Sequence, residues 1–132
     1  MEIKARIENS LNSNQVFVET NGRLSELSIP SKESGRGSAV NGGEFLCLAL
    51  ATCFCNDIYR EAQKQNITIT KVVVEASAEF SAEGQAGFNI VYSAKLEGNA
   101  SQEVLAELVQ HTDKVAEIQN TLRAGVGVKL LQ

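Results

Sequence analysis

"NGGEFLCLALATCFCNDIYREAQKQNITITKVVVEA", residues 41 to 76, changes its hydrophobic period partway along, and that change decides the fold. From Phe45 to Cys55 the run is apolar on every side except at Thr52, whereas "NDIYREAQKQN" is polar with Ile58, Tyr59 and Ala62 at helical spacing. One helix is therefore predicted from about Glu44 to Gln65, its first half enclosed, with the Glu44 carboxylate at the positive end of the helix dipole. Asn66 should stop it. "ITITKVVVEASAEF" then alternates with period two, as a strand does.

Upstream, "IKARIE", "QVFVET" and "RLSELSI" read as three short strands, divided by the turn-rich "NSLNSN" and by Asn21-Gly22, a strong hairpin signal. Pro30 closes this meander, and "SKESGRGSAVNGG" follows as a long Gly/Ser-rich loop, of the kind that is usually functional or mobile. Downstream, "SAEGQAG" turns the chain into "FNIVYSAKLEG", the partner of a long antiparallel hairpin. Asn99 and Ser101 are both suitable N-caps for a helical region over about 101–123, with Val104, Leu108, His111, Val115, Ile118 and Leu122 as its apolar stripe. "AGVGVKLL" reads as a last strand, introduced by Gly125 as a helix stop. The predicted fold is one α+β domain over residues 1–132, in the order βββ-α-ββ-α-β, with antiparallel sheets and a long buried central helix.

A chain of 132 residues, 43% hydrophobic and only 5% aromatic, must build much of its core from Val, Ile, Leu and Ala. A net charge of -4 with scattered Lys and Arg argues against a nucleic-acid partner. The N-terminus "MEIKARIENS" lacks the apolar stretch of a signal peptide, and the run from Phe45 to Cys55 is too short to span a membrane. A cytoplasmic protein with no membrane partner is expected. All three cysteines, Cys47, Cys53 and Cys55, lie within nine residues, at spacings that match neither a zinc ribbon nor a CxxC redox motif. With one histidine far away at position 111, no metal and no cofactor are expected.

The Gly/Ser-rich loop, the acidic residue and Leu-rich helix ending in a cysteine ("GGEFLCLALATCF"), the strand "NITITKVVVEASAEF" and the C-terminal "NTLRAGVGVKL" together resemble the OsmC/Ohr family of osmotically induced and organic-hydroperoxide-resistance proteins. The resemblance spans nearly the whole chain. It implies an intertwined cytoplasmic homodimer, with two long helices buried between sheets and active sites at the subunit interface. It also implies reduction of hydroperoxides, organic ones preferentially, with Cys53 as the attacking thiol and a sulfenic acid as its product. In the family a second cysteine resolves that intermediate, and dithiols such as lipoyl groups regenerate the enzyme. The second cysteine would fall at about Ala116, and this chain has none after residue 55. The family's Glu, ten residues before the reactive cysteine, would fall on Gly43, with Glu44 one place later; its early-strand Arg would fall near "NSLNSN", which has none.

Each candidate residue has a plainer alternative. Cys53 is either a nucleophile or a small buried hydrophobe, while Cys47 and Cys55 read as core or interface residues. Glu44 either stabilises the helix dipole or serves the thiol. Arg36, between two glycines, either supplies the missing cation or is an exposed loop residue. Arg60, two turns after Cys53, either approaches the thiol or is solvated or paired with Glu61 or with a neighbour's Glu44. His111 reads as a hydrogen-bonded core or interface residue. Two functions follow: a one-cysteine peroxidase resolved by an external thiol or dithiol, or a non-catalytic homodimer holding a small apolar or acyl ligand in its interface pocket.

Overall fold

The structure is a computed structural model describing residues 1–131. Its elements are β1 (Ile3–Ser10), β2 (Ser13–Thr20), β3 (Arg23–Leu27), α1 (Gly42–Lys64), β4 (Ile69–Glu79), β5 (Phe88–Gly98), α2 (Gln102–Val115) and α3 (Glu117–Ala124). This is the expected α+β fold with antiparallel sheets, changed at its C-terminal end. The chain divides into two compact units, Met1–Phe45 and a second beginning at Leu46.

The first unit is the antiparallel meander β1-β2-β3 with its following loop. Asn21 and Gly22 both take positive φ (49° and 82°), the turn geometry that matches the twist of a two-residue hairpin. The long loop is pinned rather than loose. Ser31 bridges Ser38, Lys32 N–H donates to the Gly37 carbonyl at 3.1 Å, and Gly37 N–H donates to Asn9 Oδ1 at 2.9 Å. Gly35 and Gly37 both sit at φ 83°, a conformation that residues with a Cβ rarely adopt.

In the second unit, β4 and β5 pair in the register Val72↔Leu96, Val74↔Ala94 and Ala76↔Tyr92. These inward residues pack with Phe54, Ile58 and Ala62 of α1 and with Leu105 and Leu108 of α2, closed by the fully buried Ala116. Burying a side chain the size of Phe54, Ile58 or Leu108 contributes roughly 1.5–3 kcal/mol each. Asn66, at φ 55°, ends α1 as expected, and Ile67 N–H returns to the Ala62 carbonyl at 2.9 Å. Ser101 caps α2 by accepting from Val104 N–H, whereas Asn99 holds the backbone N–H of Thr68 instead.

Three expectations are corrected. The helical region 101–123 is two helices, broken at Ala116, whose extended backbone (φ -73°, ψ 114°) both ends α2 and starts α3. Its buried line is Leu105, Leu108, Thr112, Ala116 and Gln119, while Val104, His111, Val115 and Leu122 are exposed. Polar Thr112 and Gln119 can occupy that line because Thr112 Oγ1 donates to the Leu108 carbonyl and Gln119 Nε2 to the Leu50 carbonyl. The strand expected over "AGVGVKLL" is absent among the described residues. Gly125 ends α3 in the left-handed conformation, and Val126, Val128 and Leu130 stand exposed, because alternation alone makes no strand without a neighbouring edge to pair with. Within the single chain α1 buries Leu50, Phe54, Asp57, Ile58, Glu61 and Ala62, whereas Leu48 is 56% exposed.

Candidate functional site

Asp57 is one turn beyond Cys53 on α1, so the two side chains share a face. Cys53 is half-buried, and its thiol donates to Asp57 Oδ2 at 3.3 Å. The break at Ala116 brings the start of α3 to the same point. Glu117 Oε2 stands 3.9 Å from Cys53 Sγ, and the Ile118 backbone N–H also reaches the sulfur.

The outer oxygens of both carboxylates meet one cation. Arg60 Nη1 lies 2.9 Å from Asp57 Oδ1 and 3.0 Å from Glu117 Oε1. Arg60 is itself held by Glu61, whose Oε1 accepts from Arg60 Nε at 2.8 Å and from Lys64 Nζ at 2.9 Å, and whose Oε2 accepts from His111 Nε2 at 3.0 Å. Three hydrogen bonds from basic side chains hold the Glu61 carboxyl down at about 2. A layered network results, with thiol innermost, then two carboxylates, then Arg60, then Glu61.

The electrostatics at the thiol oppose its ionisation. Burial pushes the Cys53 thiol up, the Ile118 N–H pulls it down, and Asp57 and Glu117 push it up again. Asp57 is also raised, first by burial, while Glu117 is lowered, first by its own backbone N–H at the start of α3. A carboxylate that accepts a hydrogen bond from a neutral thiol is placed to take its proton. Cys53, Asp57 and Glu117 each offer one donor atom within 4.8 Å of the others, close enough to share a divalent ion, although Arg60 already neutralises their outer side.

Glu44 and Arg36 belong to the first unit. Glu44 closes a capping box with Asn41: its Oε2 accepts from Asn41 N–H at 2.8 Å, and its own N–H donates to Asn41 Oδ1 at 2.9 Å. Arg36 is exposed on the pinned loop. Arg60 pairs with Glu61, as one of its two readings had it, and with Asp57 and Glu117 as well. His111 is exposed and reaches Glu61, not the thiol. Cys47, Cys53 and Cys55 are all free and half-buried. Sequence reasoning missed Asp57 and Glu117. The i,i+4 spacing of Cys53 and Asp57 was a usable signal; Glu117 had only its place next to Ala116.

Elsewhere in the second unit, Leu50, Ile90, Tyr92, Gln119, Leu122 and Arg123 line a cavity of about 230 Å³. Tyr92 stacks edge-on against Phe54 with ring centroids 4.8 Å apart, and its hydroxyl donates to Asp113, which also receives Arg123. Among the described residues no helix is long and apolar enough to cross a membrane.

A model of the family described as OsmC-like protein matches residues 35–131. No curated protein gives a match to the chain. Among solved structures, the chain is similar to an organic hydroperoxide resistance protein OsmC, "predicted redox protein, regulator of sulfide bond formation", from Legionella pneumophila. The identity is 25%, 98% of this chain and 95% of that one are covered, and the TM-score is 0.61. It is similar also to an organic hydroperoxide resistance protein from Elizabethkingia anophelis (18% identity, 98% and 94% covered, TM-score 0.66). The organic hydroperoxide resistance protein OhrB of Bacillus subtilis matches at 20% identity, with 98% and 96% covered and a TM-score of 0.58.

Proposed function

The chain belongs to the OsmC-like protein family, and from that premise we propose that it is a stress or redox protein that reduces organic hydroperoxides through the single thiol of Cys53. The observation that supports this reading is the hydrogen bond from Cys53 to Asp57, at a thiol flanked by the start of α3. In the proposed step Cys53 Sγ attacks the distal peroxide oxygen as Asp57 Oδ2 takes the thiol proton. The O–O bond breaks, the leaving alkoxide receives that proton, and the products are a sulfenic acid and an alcohol. An external thiol condenses with the sulfenic acid to a mixed disulfide and water, and a second external thiol releases reduced Cys53. Base assistance takes the place of a preformed thiolate, which burial and two carboxylates disfavour at this sulfur.

Single-turnover consumption of cumene hydroperoxide tests the step. Cys53→Ser should abolish it, and Asp57→Asn should slow it about a hundredfold, the usual contribution of a positioned base. Because the Cys53 thiol is raised, residual activity in Asp57→Asn should climb with pH to beyond the ordinary thiol range near ~8.5, as direct ionisation replaces base assistance. An unchanged rate in Asp57→Asn would remove the base role.

The raised thiol and the apolar cavity at Leu50 favour a second reading, in which the chain binds a small apolar or acyl ligand and does no peroxide chemistry. Equal, negligible peroxide consumption by wild type and Cys53→Ser would leave that reading alone. In either case we propose a homodimer as the working form, supported by the exposed apolar residues Leu48, Val126, Val128, Leu130 and Leu131. Light scattering at micromolar concentration should return twice the chain mass of 14.2 kDa; a monomer would contradict it.

A further inference from the structure

Glu61 lies in the polar half of α1, yet it is 3% exposed, more buried than most of the apolar residues of that helix. Its two oxygens accept from three basic side chains, Arg60 and Lys64 on α1 and His111 on α2. Among these only Arg60 goes on to touch the groups at the thiol. The charged groups facing Arg60 are therefore Glu61 behind it, Asp57 beside it on α1, and Glu117 across on α3. A guanidinium is a planar fork. Fixing Nε by Glu61 Oε1 sets the direction in which Nη1 points, and Nη1 is the atom shared by Asp57 and Glu117.

We infer that Glu61 is a positioning residue for Cys53, holding Arg60 so that its cation stays on the outer oxygens of Asp57 and Glu117 while their inner oxygens face the thiol. This role rests on the redox reading of Cys53, but it can be read from thiol ionisation without any peroxide turnover. Arg60 is already 40% exposed with Glu61 in place, so once released from it the side chain is free to turn to solvent. Both carboxylates then press their full charge on the sulfur.

The test is the pH dependence of iodoacetamide alkylation at Cys53, resolved from Cys47 and Cys55 by peptide mass. Glu61→Ala should raise the Cys53 midpoint by about half a unit or more and slow alkylation about threefold at neutral pH. Glu61→Gln keeps an oxygen acceptor for Arg60 Nε and should stay close to wild type. Arg60→Lys keeps the charge but loses the fork, and should match Glu61→Ala; combining the two should add nothing further. A wild-type midpoint in Arg60→Lys, or shifts that simply add, would overturn the role. If Glu61→Ala does not fold, Arg60→Lys decides alone, since Arg60 is partly exposed and outside the apolar core. A wild type that consumes no peroxide but shows this pattern removes the redox reading and leaves the positioning role standing.

Discussion

Replacing Ala116 by cysteine is expected, on the proposed redox function, to let the chain close a disulfide on Cys53 after one peroxide turnover. Ala116 is fully buried at the break between α2 and α3, and the two residues that follow it reach Cys53 through the Glu117 carboxylate and the Ile118 N–H. A thiol introduced there stands at the place where the OsmC/Ohr resemblance puts the second cysteine, one and two residues before the groups that reach Cys53 Sγ. Wild type treated with one equivalent of cumene hydroperoxide should keep a sulfenic acid at Cys53, which dimedone traps. The Ala116→Cys chain should instead lose both thiols to an internal disulfide, visible in a non-reducing peptide map, and turnover with a dithiol should no longer depend on an external thiol reaching the sulfenic acid. The added sulfur must fit a packed site, so the reduced variant should be less stable by about 1–3 kcal/mol. A variant that still accumulates only the dimedone adduct would show that Ala116 does not face the reactive sulfur.

Most of the fold was legible because its signals are local. Asn21-Gly22 specifies its own hairpin through two positive φ angles, and Asn66 its own helix stop. The alternation in "ITKVVVEASAE" was enough to pair β4 with β5, because both ends of that hairpin lie close in sequence. What failed depends on partners far along the chain. Val126, Val128 and Leu130 alternate as a strand does, but alternation says nothing about whether an edge is available. The buried line of α2 and α3 departs from the apolar stripe because hydrophobicity is not the sole mark of burial. Thr112 and Gln119 go inside because each brings its donor to a carbonyl, while Val104 and Leu122 stay exposed. At the site, Cys53 was singled out by resemblance and Arg60 by helical phase. Asp57 was within reach of the same phase argument. Glu117 was not, since it arrives only through the bend at Ala116. The sequence candidates for the family's Glu and Arg, Glu44 and Arg36, lie in the first unit; within the second unit the carboxylates and the cation at the thiol are Asp57, Glu117 and Arg60.

Phe54→Ala should be the most damaging single truncation of the second unit. Phe54 is 0% exposed, follows Cys53 directly on α1, and meets Tyr92 edge-on at 4.8 Å, so it joins the helix that carries the thiol to the sheet behind it. Removing the ring forfeits its transfer from water and leaves a cavity that a helix pinned on both sides cannot close, at a cost of about 3–5 kcal/mol. Losing the aromatic contact with Tyr92 adds about 0.5–1.5 kcal/mol of that kind of interaction beyond area alone. A domain of this size is usually stable by only ~5–15 kcal/mol in total, so the variant should unfold at a much lower urea concentration with little change in slope. Its effect on the ionisation of the thiol should have the opposite sign from its effect on stability. Where the native thiol is half-buried and raised, partial opening of α1 exposes Cys53 to water and removes the burial that opposes its ionisation. Alkylation of Cys53 in Phe54→Ala should therefore speed up and its midpoint fall toward that of a free thiol. Peroxide reduction should nevertheless drop, because the sulfur has left Asp57 and the start of α3. A variant of wild-type stability, or one whose thiol stays as slow to alkylate, would mean that this ring does not anchor the helix beneath Cys53.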